Sequence, residues 1–124
     1  FLVLIAPYSK VTHQLVNAEL LGVMKKSAFV LNLARGSLCD EAALIDALKT
    51  KRIAGAGLDV FNSEPLPADS PLWDMDNVII TPHVAGSSDD NLSLQWPIIE
   101  GNLRCFLDGR AGDMINRVTL KKHD

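Results

Sequence analysis

The chain has 124 residues, of which 48% are hydrophobic and 22% are charged, and its formal net charge is −3. This composition excludes a disordered or fibrous chain and predicts one compact domain with its own core. The small negative charge gives no electrostatic footprint for nucleic acid or an acidic membrane surface. No apolar run approaches the roughly 20 residues that span a bilayer. We therefore expect a soluble, cytoplasmic protein that binds neither nucleic acid nor membrane.

The two cysteines, Cys39 and Cys105, match neither a metal-ligand spacing nor a disulfide framework. A reducing compartment is the simpler interpretation. We expect no metal site and treat both cysteines as small apolar residues, since a nucleophilic Cys39 would need a base and a lowered pKa.

Four apolar segments alternate with helix signals. The opening run, residues 1–5, is continuously apolar and stops before Pro7, which is typical of a strand buried on both faces of a parallel sheet. Residues 27–33, 53–61 and 78–80 predict three more strands. Strand, helix, strand repeats predict a parallel α/β sheet. Because the first residue already lies in a core element and is not methionine, we expect the sequence to be the later part of something longer.

Two helices are predicted between the strands. Thr12 and Asn17 can cap short helical turns that lead to Met24. Either Asp40 or Ser37 can cap the next helix. Its apolar residues fall three and four apart: Ala43, Leu44, Ala47 and Leu48.

A long helix is predicted over about residues 88–108. Its apolar positions recur at steps of four and three: Leu92, Trp96, Ile99, Leu103 and Phe106. Asp89 and Asp90 are expected in its first turn, and Gly109 after its last. Pro97 costs roughly 3 kcal/mol inside a helix unless the helix kinks, so we predict a bend in the turn before it.

Polar residues follow three of the predicted strands and include Arg35, Glu64 and His83. The carboxyl ends of parallel strands line a common crevice, so these side chains can converge. An arginine can pair with a substrate carboxylate, a histidine can exchange a proton near neutral pH, and a glutamate can orient the imidazole. Each residue alone has an ordinary alternative: a surface arginine, a turn glutamate and a loop histidine.

Several short motifs occur in a characteristic order: Ala34-Arg35-Gly36, Asp40-Glu41, Leu58-Asp59-Val60-Phe61, Glu64-Pro65-Leu66-Pro67, Pro71-Leu72-Trp73 and Thr81-Pro82-His83. Arg35 and Glu64 are 29 residues apart, and Glu64 and His83 are 19 apart. In these motifs and separations the chain resembles the D-isomer-specific 2-hydroxyacid dehydrogenase family.

The resemblance implies the C-terminal half of a Rossmann-type parallel sheet with flanking helices and a long C-terminal helix. Residues 1–109 would be part of the nicotinamide-dinucleotide-binding domain, and residues 110–124 a tail that returns to the substrate domain. The N-terminal half of the sheet and the substrate domain would be absent from this sequence. The family is usually homodimeric through an arm that would precede Phe1.

The resemblance also implies roles for individual residues. Arg35 would bind and polarise a small 2-oxo acid such as glyoxylate or hydroxypyruvate, Glu64 would pair with the histidine, and His83 would be the acid/base. Arg35 and His83 would also lie beside the cofactor, which is NAD or NADP.

Further cofactor contacts are implied by the same resemblance. Asp59 would hold the nicotinamide carboxamide, and the backbone at Ala34 and Gly86 would lie against the nicotinamide ring. The loop from Pro7 to Thr12 would run beside the adenosine ribose. An aspartate that ends a strand often only caps the following turn, so for Asp59 that alternative stays open.

The dinucleotide fingerprint Gly-x-Gly-x-x-Gly does not occur in the sequence. The nearest string, residues 55–60, lacks the last glycine and leads into a proline-rich loop. We therefore expect that this chain alone neither binds NAD(H) at micromolar concentration nor turns over. A second hypothesis for the whole protein is a non-catalytic, nucleotide-sensing interaction protein or corepressor of the same fold.

Overall fold

The computed structural model describes residues 1–118 and contains a four-stranded sheet that is parallel throughout. The strands are β1 (Leu2–Leu4), β2 (Phe29–Asn32), β3 (Gly55–Leu58) and β4 (Val78–Ile80), and they lie side by side in chain order. Each predicted strand is present, although three are shorter than the apolar runs that predicted them. The parallel α/β class predicted from the sequence is confirmed.

Two helices connect the strands of this sheet, α1 (Ala18–Val23) and α2 (Glu41–Lys49). Asn17 caps α1 by accepting a hydrogen bond from the N–H of Leu20. Of the two candidate caps for α2, Asp40 is the one used, because its carboxylate accepts from the N–H of Ala43. These side chains satisfy amide groups that the first turn of a helix leaves unpaired.

The core lies between the sheet and these helices. Its fully buried side chains include Val16, Val30, Leu38, Leu44, Leu48 and Ile53. Burying each such aliphatic side chain contributes about 1.5–3 kcal/mol. The core therefore fixes the strands whose ends carry the site.

The prediction that β1 is buried on both faces is wrong among the described residues. Leu4 is buried, but Val3 is 46% exposed and Ile5 is 78% exposed. The reason is the alternation of side chains along a strand, combined with the position of β1 at one edge of the sheet. A continuous apolar run does not reveal which of its two faces is covered within one chain.

Two compact units are present, Phe1–Gly86 and Ser87–Asp124. The second contains α3 (Asn91–Leu107), followed by a short 3₁₀ helix (Ala111–Asp113). Asp90 is the N-cap residue, so the prediction that Asp89 and Asp90 lie in the first turn of α3 is wrong by one to two residues. The helix ends before Gly109, as predicted, and Gly109 adopts a φ of 72° that L-residues rarely take.

The predicted apolar face of α3 consists of residues that are half exposed or more in this structure: Leu92, Trp96, Ile99, Leu103 and Phe106. Within the unit, the amide of Asn102 bonds both the C=O and the N–H of Ile115, which ties the helix to the segment after it. Pro97 lies inside the continuous helix, and the predicted bend stays a prediction. Within residues 1–118, no helix has the length and apolar character needed to cross a membrane. The last part of the predicted tail, residues 119–124, lies outside the described residues.

Candidate active site

His83 and Glu64 form a direct side-chain pair at the carboxyl edge of the sheet. Nδ1 of His83 lies 2.7 Å from Oε2 of Glu64, and both side chains are partly exposed. The other carboxylate oxygen of Glu64 accepts a hydrogen bond of 2.9 Å from the N–H of Phe61. The hydrogen bond with His83 and then that with Phe61 hold the pKa of Glu64 below its usual value. The carboxylate is therefore ionised and accepts the proton on Nδ1.

Asp59 directly follows β3 and is only 1% exposed. Its Oδ1 accepts hydrogen bonds from the Thr81 hydroxyl at 2.5 Å and the Val84 N–H at 2.9 Å, and its Oδ2 accepts from the Ala85 N–H at 2.9 Å. Burial acts to raise the pKa of Asp59, but the hydrogen bonds from Thr81, Ala85 and Val84 outweigh it and lower the pKa. An ionised carboxylate thus organises the loop after β4.

That loop carries His83. The N–H of His83 donates to the backbone C=O of Asp59 at 2.8 Å, and its φ of 55° lies in the left-handed region. Non-glycine residues are uncommon there, although histidine is among those that are enriched. The three loop contacts to the Asp59 side chain and this backbone bond therefore determine where the imidazole lies.

Arg35 lies on the turn that follows β2. Its backbone is extended, its side chain is exposed, and its Nη1 donates to the C=O of Ala34. No hydrogen bond joins Arg35 to Glu64 or His83 in the described residues, but its positive charge contributes to lowering the pKa of Glu64. The influence of Arg35 on Glu64 is thus electrostatic and does not involve a direct hydrogen bond.

Gly36 brings the arginine turn, residues 33–36, into contact with the glutamate loop, residues 61–64. A Cβ atom built on Gly36 would lie 2.0 Å from the carbonyl carbon of Phe61 and 2.5 Å from the N of Asn62. Only glycine allows this approach of two backbones. The N–H of Asn62 is held in addition by the carboxylate of Glu41 at 3.1 Å.

A cleft of about 470 Å³ opens beside the His–Glu pair. Its lining is mostly apolar and includes Phe61, Pro65, Leu66, Trp73, Ile80 and Pro82. The partly exposed His–Glu pair therefore has an apolar wall on one side, against which a small ligand could lie.

The structure places the predicted cofactor residues at the same edge of the sheet. Ala34 is buried directly before Arg35, whereas Gly86 is exposed after the histidine loop. In the loop after β1, the hydroxyl of Thr12 donates to the C=O of Pro7 at 2.9 Å, which closes a compact turn. Their predicted contacts with a dinucleotide stay predictions.

Three residues to which the sequence assigned no role contribute to the geometry of the site: Asn32, Gly36 and Thr81. Each acts through a contact with backbone or with a buried group that only the folded chain brings near. For Asn32, a polar residue at the end of an apolar strand was a signal that could have identified it.

A parallel sheet with a His–Glu pair and a buried aspartate at its carboxyl edge has the architecture of a Rossmann-type cofactor domain. Residues 1–85 match the family model described as "D-isomer specific 2-hydroxyacid dehydrogenase, NAD binding domain". The chain belongs to this family of oxidoreductases, and the resemblance stated from its motifs is confirmed.

Curated relatives carry related names. The chain is 47% identical over 122 residues to "Glyoxylate/hydroxypyruvate reductase B" of Pectobacterium carotovorum, a match that covers 98% of this chain and 38% of that protein. It is 41% identical over 116 residues to "Glyoxylate reductase" of Thermofilum pendens, covering 93% of this chain and 34% of the relative. The chain thus spans about a third of the length of such relatives.

Solved structures agree with the fold. The crystal structure of the TT0316 protein from Thermus thermophilus has a TM-score of 0.84 and 39% identity, and the match covers 94% of this chain and 37% of that chain. A D-isomer specific 2-hydroxyacid dehydrogenase from Xanthobacter autotrophicus Py2, solved with NADPH and MES, has a TM-score of 0.76 and 44% identity. That match covers 94% of this chain and 47% of the other.

Proposed function

We propose that the whole protein containing this chain reduces a small 2-oxo acid, such as glyoxylate or hydroxypyruvate, to its D-2-hydroxy acid with NADH or NADPH. The observation that carries the proposal is the 2.7 Å contact between His83 Nδ1 and Glu64 Oε2. The reductase names of the relatives support the substrate class, and the NADPH in one structural neighbour supports the cofactor class.

His83 is proposed to be the acid/base. Because ionised Glu64 accepts the proton on Nδ1, the other ring nitrogen, Nε2, is left for the substrate. In the reducing direction, protonated Nε2 donates its proton to the oxygen that develops on C2 of the 2-oxo acid. In the oxidising direction, neutral Nε2 takes that proton back.

Arg35 is proposed to bind the substrate carboxylate through two parallel hydrogen bonds and to stabilise the developing alkoxide. Arg35 follows β2 at the same edge of the sheet as the His–Glu pair, and its side chain is exposed, which supports this role.

The residues present suit the nicotinamide end of a dinucleotide. The exposed residues from Thr81 to Gly86 and the turn at Ala34 lie at strand ends, where such ligands bind. The sequence has no glycine-rich turn for the pyrophosphate. A bound reduced nicotinamide supplies the hydride, and the chain's residues align the substrate and move the proton.

The arrangement of the whole protein is part of the proposal. We expect residues 1–109 to belong to the cofactor domain, residues 110–124 to return to a substrate domain, and the whole protein to be a homodimer. Sedimentation of the purified whole protein measures its oligomeric state directly, and a monomer would contradict that expectation.

The activity test follows loss of NADH or NADPH absorbance at about 340 nm, the band of the reduced nicotinamide, with glyoxylate or hydroxypyruvate added to the whole protein. Turnover that depends on the 2-oxo acid is expected, together with a loss of about 10²-fold or more in His83→Ala. Glu64→Gln should also lower the rate, because a neutral amide no longer fixes the tautomer and orientation of the imidazole.

His13→Ala is the matched control, because His13 is exposed and lies outside the pair. An active His83→Ala variant, within tenfold of wild type, would contradict the assignment. Nucleotide-dependent binding of a partner without any turnover would instead favour the interaction protein.

A further inference from the structure

Asn32 is 1% exposed. The oxygen and the nitrogen of its side-chain amide both form hydrogen bonds with the turn that follows β2. Nδ2 donates to the C=O of Arg35 at 2.9 Å, with Sγ of Cys39 also in reach at 3.6 Å. Oδ1 accepts from the N–H of Ala34 at 3.2 Å. The amide therefore closes the turn that connects β2 to the arginine.

Gly36 restrains the same turn from the other side. Its backbone lies directly on that of Phe61, too close for any Cβ atom. Two contacts therefore fix the backbone at Arg35. The buried amide of Asn32 bonds the peptide groups on either side, and Gly36 packs on the glutamate loop. Arg35 itself is exposed, and its Nη1 donates to the C=O of Ala34 within this turn.

The turn requires a side chain with both a donor and an acceptor at position 32. A leucine would suit the surrounding core, but it would leave the C=O of Arg35 and the N–H of Ala34 without their present partner, at a cost in stability for each. An aspartate would keep the bond from Ala34 but would put a negative oxygen against the C=O of Arg35. Only a group with a donor and an acceptor satisfies both sides of the turn.

We propose that Asn32 is a positioning residue for substrate binding, because its side-chain amide holds the Arg35 turn so that the guanidinium faces the substrate carboxylate. This inference rests on the proposed function, since it needs Arg35 to bind that carboxylate. It adds a residue that touches neither substrate nor cofactor.

The test uses Asn32→Asp in the whole protein with glyoxylate as the substrate. The kcat/KM for glyoxylate should fall about tenfold or more, through a higher KM and a lower kcat, because Arg35 is proposed both to bind the carboxylate and to stabilise the alkoxide. The KM for the nicotinamide cofactor and the pH profile should be unchanged, since the His–Glu pair is intact. Asn77→Asp is the matched control, because the amide of Asn77 also bonds two backbone C=O groups, those of Leu48 and Ala54, but at the opposite end of the sheet.

A double-mutant cycle with Arg35→Ala determines whether Asn32 acts through the arginine. In the Arg35→Ala background, adding Asn32→Asp should change kcat/KM less than about twofold. Independent, multiplicative effects would overturn the inference while leaving the proposed function intact. A wild type without 2-oxo acid turnover would instead overturn the proposed function and this role with it.

Hydrogen exchange gives a readout that does not depend on activity. In Asn32→Ala, the Ala34 amide should exchange at least about tenfold faster than in wild type, while the amides of Val30 and Ala56 in the sheet keep their rates. Unchanged exchange at Ala34 would show that the amide does not hold the turn, and the inference would fail.

Discussion

Replacing Asp59 by asparagine removes the negative charge that holds the histidine loop. The side chain is 1% exposed and accepts three hydrogen bonds, from the Thr81 hydroxyl and the N–H groups of Val84 and Ala85. In the variant, an amide oxygen can keep the bonds from Thr81 and Val84 as weaker neutral bonds. The NH₂ group would then face the N–H of Ala85, so that bond is lost.

The size of the effect follows from these contacts. A hydrogen bond to a charged group contributes about 1.5–3 kcal/mol, and a neutral one about half as much. Losing one charged bond and weakening two others predicts that Asp59→Asn lowers the free energy of unfolding by at least about 3 kcal/mol at pH 7. This is about a hundredfold change in the folding equilibrium.

The stability difference between wild type and Asp59→Asn should depend on pH. The folded-state pKa of Asp59 is lowered, so its stabilising contribution is present above the unfolded-state value of about 3.9 and is lost as the pH falls through the lower folded value. The gap between wild type and Asp59→Asn should therefore be largest near neutral pH and should shrink below about pH 4.

Urea unfolding followed by circular dichroism at several pH values measures this gap. Asp69→Asn is the control, because Asp69 is exposed in a loop and should change stability by less than about 0.5 kcal/mol. A gap below about 0.5 kcal/mol at pH 7, or one that stays constant from about pH 7 to about pH 3, would refute the reasoning.

Three further predictions concern packing, thiol chemistry and cofactor affinity. Gly36→Ala should lower the free energy of unfolding by about 3 kcal/mol or more, because a Cβ would overlap the backbone of Phe61. Gly22→Ala should be neutral or stabilising by up to about 1 kcal/mol, because nothing lies within 4 Å of a Cβ built there. Equal urea midpoints for the two variants would contradict this. Burial raises the pKa of Cys39 to about 11, so at about pH 8 a disulfide reagent should label Cys105 quickly and Cys39 only after denaturation; rapid labelling of two thiols in the native chain would be inconsistent with the structure. Calorimetric titration of this chain alone with NADH should give no saturable micromolar binding, because the chain has no glycine-rich phosphate turn; tight binding would show that other groups replace that turn.

Local signals were sufficient to predict most of the fold. The cap at Asp40 and the apolar spacing that follows it are properties of one short segment, and the helix begins there as expected. The strands likewise follow from short β-branched or apolar runs between turn signals. The pairing of Glu64 with His83 was predictable because both residues belong to ordered motifs, and the structure joins them at 2.7 Å.

What could not be predicted depends on contacts between distant segments. The exposure of Val3 and Ile5 follows from the position of β1 in the sheet, which a run of apolar residues does not contain. The three bonds that occupy the Asp59 carboxylate come from residues 22 to 26 positions later in the chain. The role of Gly36 is equally hidden, since only the folded backbone shows what a side chain there would meet.

The left-handed backbone of His83 limits how this site can be re-engineered. At a φ of 55°, histidine, asparagine and aspartate are the side chains that the backbone accepts most readily, whereas β-branched residues are strongly disfavoured. Few other proton donors could therefore replace His83 on this backbone. Most other side chains would require a loop with another φ at position 83. The backbone conformation at position 83 and the need for a proton donor thus both favour histidine.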